Sequence, residues 1–182
     1  MLQKFNDKNR DLIVNVNGKL LHRNEAGISP FDSSVQGGDA VWEGLRLYRG
    51  RIFKLIPHLD RLRNSALALA FTQIPSHETI TEEIRRTLQA NDMYDDVHIR
   101  LTLTRGDKVT SGMDPRLNQF GPTLIVLAEH KAPVYSTAGL SLSRVACADF
   151  HPIASIPRST TTTCCNRSSR RSRLTLRVQM MP

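Results

Sequence analysis

Residues 28–66 read ISPFDSSVQGGDAVWEGLRLYRGRIFKLIPHLDRLRNSA and leave the chain few conformational options. A turn of small residues (Ser33, Ser34, Gly37, Gly38, Asp39) leads into a strand-like run, Val41–Tyr48. Arg49–Gly50 signals a tight reversal, and Ile52–Leu55 follows as a second short strand. Pro57 suits the first turn of a helix that carries His58, Arg61 and Arg63. Leu59, Leu62, Ala66 and Leu69 recur at spacings of three and four, so one face of that helix is apolar. Turn, hairpin and basic helix together have the form of one half of a binding site.

The flanks supply a sheet and a second helix. Leu12–Asn15 and Lys19–His22 are short strands joined by Asn17–Gly18, a strong two-residue hairpin signal. Thr79-Ile-Thr-Glu82 is a capping-box pattern that starts a helix running to about Asn91. Val97–Thr104 alternates and is β-branched, which predicts a strand ending at Arg105–Gly106. Residues 107–121 form a polar loop, and Thr123–Ala128 is an apolar run suited to a buried strand. Strands, two helices, then strands make an α+β domain with helices against one face of a sheet. The expected division is 1–130 for this domain, 131–139 for a linker, 140–150 for the first strand of a second domain, and 151–182 for a disordered basic tail.

Charge separates the tail from the rest. The net charge is +8, and six of the arginines lie in 157–182 with no acid among them. The remainder has an ordinary balance, which argues against a nucleic-acid-binding domain. No apolar run approaches bilayer length, and the polar N-terminus lacks a signal-peptide core, so a soluble, cytoplasmic protein is expected. Cys147, Cys164 and Cys165 match neither a disulfide framework nor a zinc spacing, and no metal site is expected.

Several residues can do chemistry, and each has a plainer reading. Arg61, early in a helix, can hold a phosphate through charge-assisted hydrogen bonds, or it is a solvated helix-face charge, the commoner case. Arg105, at a strand end before glycine, is placed to meet a substrate carboxylate; Arg100, between Ile99 and Leu101, needs a partner if buried. Gly37 and Gly38 permit a close backbone approach or simply make a turn. Trp42, the sole tryptophan, walls a pocket or, more commonly for its type, fills the core. No dinucleotide, P-loop or metalloprotease motif is present.

In this order, the segments GISPFDSSVQGGDAVWEGLRLYRGRIFKLIPHLDRLRNSA, VHIRLTLTRG and PTLIVLAE resemble the N-terminal half of class IV pyridoxal-phosphate aminotransferases. These are the branched-chain, D-amino-acid and aminodeoxychorismate lyase group, and the resemblance covers roughly residues 12–148. It implies the small domain of the D-amino-acid aminotransferase-like fold, fold type IV, followed by a truncated second domain. It implies pyridoxal 5'-phosphate as cofactor, amino acid and 2-oxo acid substrates of branched-chain type, and a homodimer. By the same resemblance Arg61 contacts the cofactor phosphate, and Trp42 lines the substrate pocket. Val35 stands where relatives often carry tyrosine, so a pocket hydrogen bond of theirs is absent. Arg100 matches a pocket arginine of branched-chain members, and Arg105 the carboxylate-binding arginine of D-amino-acid members; which of the two serves here is open. The lysine that bonds the cofactor aldehyde and the carboxylate that pairs with its ring nitrogen belong to the second domain. No lysine follows Lys131 and no acid follows Asp149, so the site is incomplete and the chain is expected to be inactive alone.

A changed reading frame near Phe150–Ala154 accounts for the tail. Regrouping each codon's third base with the next two permits a segment similar to the family's second-domain opening, with a lysine two places earlier than usual. Two positions are forced: Met180 and Met181 are both ATG, so the shifted triplets before Pro182 encode Asp and Ala. The competing readings are a non-catalytic protein whose Ser/Arg-rich tail binds nucleic acid or an acidic partner, and a decoy subunit that pairs with a full-length relative.

Overall fold

The computed structural model describes residues 5–133. The expectations for 1–4, for most of the linker, for 140–150 and for 151–182 lie outside the described residues. Six strands form one antiparallel sheet: β1 (Ile13–Val16), β2 (Lys19–His22), β3 (Ala40–Tyr48), β4 (Arg51–Ile52), β5 (Val97–Thr104) and β6 (Thr123–His130). Their order across the sheet is β2-β1-β6-β5-β3-β4. The helices are α1 (Ser33–Gly37), α2 (Leu55–Ala68) and α3 (His77–Ala90).

Alternation along the strands assigns the two faces of the sheet. Val41, Leu45 and Leu47 of β3, Val97–Leu103 of β5 at alternate positions, and Leu124, Val126 and Ala128 of β6 form the core. Leu59, Leu62 and Ala66 of α2 and Ile80 and Ile84 of α3 close over them. The central register sets Gly44 opposite Arg100 and Arg46 opposite His98. Trp42, Gly44, Arg46 and Tyr48 therefore share the opposite, open face with His98, Arg100 and Thr102, because strand side chains alternate.

The turns follow their sequence signals. Asn17 and Gly18 both have left-handed backbones, with φ of 52° and 82°, as a two-residue hairpin demands. Arg49 and Gly50 repeat the device. The small-residue turn is a short helix, α1, capped by the Asp32 carboxylate and ended by Gly38 at φ 70°.

Four expectations need correction. The second hairpin strand stops at Ile52, because Lys54 turns left-handed (φ 48°) and Leu55 already opens α2. Leu69 leaves the apolar stripe: α2 ends at Ala68, Ala70 reverses the chain, and Phe71 takes the core position. Helix α3 starts at His77 and not near Thr79. Ser76 is its cap, and its Oγ accepts the Thr79 amide at 3.2 Å. The residue expected to cap is thus itself capped, and Glu82 pairs with Arg85. The loop 107–121 is also more ordered than its polarity suggests: Lys108 bridges to Asn118, and Pro115–Leu117 makes a 3-10 turn.

Candidate cofactor and substrate site

Glu43 is the one charged residue at a core-facing position of β3, between Val41 and Leu45. Its side chain is 6% exposed. A carboxylate in such a row survives only if it is paired. Its partners come from the first turns of α2, where His58 and Arg61, three residues apart, share a face. Arg61 Nε donates to Oε1 at 2.6 Å and Nη2 to Oε2 at 2.5 Å. His58 Nδ1 lies 2.9 Å from Oε2 and 3.1 Å from Arg61 Nη2. Burial alone would raise the Glu43 carboxyl; the hydrogen bonds and charges of Arg61 and His58 outweigh it and hold the group below its ordinary value. The hydrogen bond to Glu43 likewise raises Arg61.

Arg61 is nonetheless 60% exposed. Among the described residues Nη1 has no hydrogen-bond partner, so one edge of the guanidinium is held and the other remains available for an anion. Sequence reasoning singled out Arg61 and missed Glu43, whose signal is a lone acid at the buried parity of an alternating strand.

On the open face, Trp42 is 57% exposed and does not fill the core. The Arg100 guanidinium lies 3.7 Å from the centre of its ring, within cation–π reach. Gly44 beside them has no side chain, and a Cβ built there would stand 3.4 Å from His98 Nε2. Burial and the neighbouring cations Lys131 and Arg46 push the His98 imidazole below its ordinary value. The structure thus joins Trp42 and Arg100. It places Arg61 on the other side of β3, since successive residues Trp42 and Glu43 face opposite ways.

Arg105 is occupied. It pairs with Asp39 at 2.5 Å, donates to the carbonyls of Leu69 (2.7 Å) and Ala70 (3.1 Å), and covers the Phe71 ring at 4.5 Å. These contacts tie the end of β5 to the start of β3 and the end of α2. Val35 sits exposed on α1. Hollows of about 300 and 370 Å³ lie elsewhere, one along Val16, Ile125 and Leu127, the other walled by Phe71, Gln73 and Arg105. Neither includes Trp42, Arg61 or Arg100. No described helix is long and apolar enough to cross a membrane.

Residues 40–165 match the family Amino-transferase class IV. The chain is 58% identical over 132 residues to branched-chain-amino-acid aminotransferase-like protein 1 of Arabidopsis thaliana, a match covering 72% of this chain and 24% of that protein. It is 31% identical over 108 residues to D-alanine aminotransferase of Bacillus licheniformis, covering 59% and 36%. The chain therefore spans about a quarter to a third of these relatives. Among solved structures, the branched-chain amino acid aminotransferase of Escherichia coli superposes with a TM-score of 0.58 at 24% identity, covering 65% of this chain and 40% of that one. The branched-chain aminotransferase of the thermophilic archaeon Thermoproteus uzoniensis, solved with norvaline, gives 0.57 at 24% identity with the same coverage. The antiparallel sheet with its two covering helices is the N-terminal domain of that fold, and this chain belongs to the amino-transferase class IV family.

Proposed function

We propose that residues 5–133 form the cofactor-phosphate and substrate-wall half of a pyridoxal-phosphate-dependent aminotransferase site acting between a branched-chain-like amino acid and a 2-oxo acid. The observation that carries this reading is Arg61, half-exposed on an early turn of α2 with one guanidinium edge held and Nη1 unengaged among the described residues. That edge suits a phosphate, whose oxygens accept paired N–H donors. The cofactor, when bound, supplies the electron sink for breaking the bond to the substrate α-hydrogen and the carbon that receives the amino group. Arg61 would hold its phosphate, Trp42 would wall the substrate side chain, and Arg100 would meet a carboxylate. Arg100 is favoured over Arg105 because among the described residues its guanidinium rests only on an aromatic face, whereas Arg105 has spent its donors on Asp39 and two carbonyls. Val35, exposed on α1, would border the pocket without the hydroxyl of a tyrosine.

Residues 1–182 contain no lysine beyond Lys131, so by themselves they are expected to bind without turnover. The working form in this reading is a homodimer in the cytoplasm. The test is titration of the purified chain with pyridoxamine 5'-phosphate and with pyridoxamine, followed by ligand anisotropy. The phosphorylated ligand should bind at least tenfold tighter, and Arg61→Met should erase the difference. Equal affinities in the wild-type chain would overturn the reading.

A further inference from the structure

We propose that Glu43 is the positioning residue of the phosphate anchor: its buried carboxylate grips the Nε–Nη2 edge of Arg61 and so sets the Nη1 edge outward, with His58 bracing the same carboxylate oxygen. The inference rests on Arg61 being the phosphate ligand. Its own support is geometric. The pair is asymmetric, with the carboxylate 6% exposed and the arginine side chain 60% exposed. A residue placed only to stabilise the sheet at this position would be apolar, like its core-facing neighbours Val41, Leu45 and Leu47, since a well-packed hydrophobe generally matches or exceeds a buried ion pair in stability.

The grip is bidentate. Both carboxylate oxygens are engaged by two different nitrogens of one guanidinium at 2.6 and 2.5 Å, which fixes the plane of the group as well as its distance. An arginine on a helix surface otherwise samples many rotamers, and ordering it opposes binding. Glu43 orders it before any ligand arrives. His58 completes the brace: at 2.9 Å from Oε2 and 3.1 Å from Arg61 Nη2, it fills the third corner of a triangle whose other two corners are the carboxylate and the guanidinium.

The arrangement makes an unusual demand on charge. Glu43 lowers the net positive charge beside the phosphate, so by charge alone it should weaken phosphate binding. Positioning and charge therefore predict opposite signs for its removal, and Glu43→Gln separates them. If Glu43 positions Arg61, Glu43→Gln weakens pyridoxamine 5'-phosphate binding by fivefold or more and leaves pyridoxamine binding unchanged. Unchanged or tighter binding of the phosphorylated ligand overturns the proposal. The double variant with Arg61→Met should bind no worse than Arg61→Met alone, because Glu43 acts through the arginine; an additive further loss also overturns it.

A readout independent of affinity is the Arg61 side-chain Nε–H resonance in the nitrogen-15 spectrum of the full chain. It should be exchange-protected in the wild type and lost in Glu43→Gln. Should Glu43→Gln fail to fold, His58→Gln serves, since it leaves no charge unpaired; a two- to threefold loss of phosphate preference is expected, and none overturns the proposal. Failure of the underlying reading looks different: there the wild-type chain shows no preference for the phosphorylated ligand, or Arg61→Met loses none.

Discussion

Glu43 makes the acid limit of the fold a residue-level question. The folded state holds its carboxyl below the ordinary glutamate value, with burial opposing and the Arg61 and His58 contacts prevailing. Its contribution is therefore fully present above the unfolded-state value and is lost as pH falls through the lowered one. The melting temperature of the wild-type chain should drop more steeply below about pH 4.5, near the ordinary glutamate range, than that of Glu43→Gln; parallel curves would mean that Glu43 carries no linkage. On the open face, Arg100→Ala removes the cation from the Trp42 ring. At an exposed site that contact is worth about 0.5–1 kcal/mol, so stability should change little. Trp42 emission should shift in wavelength, because the positive charge 3.7 Å from its ring centre is gone. The sequence singles out Arg61, Trp42 and Arg100 but not their grouping. Strand parity puts Trp42 and Glu43 on opposite faces, and a reading that treats nearby residues as one cluster does not see it.

Elements were legible where the signal was local. Asn17–Gly18 and Arg49–Gly50 fold as the turns their sequences specify, and β5 occupies Val97–Thr104 as its alternation predicts. Element ends were less legible because they are settled by competition. Two caps contend for α3, and Ser76 wins because its Oγ reaches the Thr79 amide. Ser76→Ala should cost about 1 kcal/mol in urea denaturation, the usual value of a cap, and Glu82→Ala clearly less, because its pair with Arg85 lies on the solvent-exposed surface. A reversed order would restore the later start. The loop before β6 shows a tertiary constraint that sequence conceals. Gly106 has φ 97°, and a Cβ built on it would lie 1.7 Å from the Gly121 carbonyl oxygen. Gly38 is also left-handed, but among the described residues nothing lies within 4 Å of its Cβ position. Gly106→Ala should cost about 3 kcal/mol or more, the range of severe steric strain, and Gly38→Ala about 1 kcal/mol. Chemical denaturation of the two variants side by side separates backbone strain alone from strain plus collision.

At the scale of the whole molecule, the described domain and the segment after it differ in the chemistry of their sequences. The domain has alternating strands, helices with an apolar face and paired charges; residues 151–182 have six arginines, no acid, and runs such as STTTTCC and RSSRRSR. A shifted reading frame produces such a contrast, because codons chosen for one frame are arbitrary in another. It also makes firm demands at the end of the chain, where two adjacent methionine codons before proline must regroup to Asp and Ala. We propose that a frame change near Phe150–Ala154 accounts for the composition of the residues that follow it. The family match continues to residue 165, so the boundary is a question for the nucleotide sequence. Sequencing the transcript across the Phe150 codon should find a base gained, lost or spliced there. The alternative frame should then encode a lysine followed by an Asn-Leu-Leu helix. A single uninterrupted frame through the threonine run would end this account. The basic segment would then be a product of the gene, appended to a domain in which, among the described residues, one edge of Arg61 has no partner.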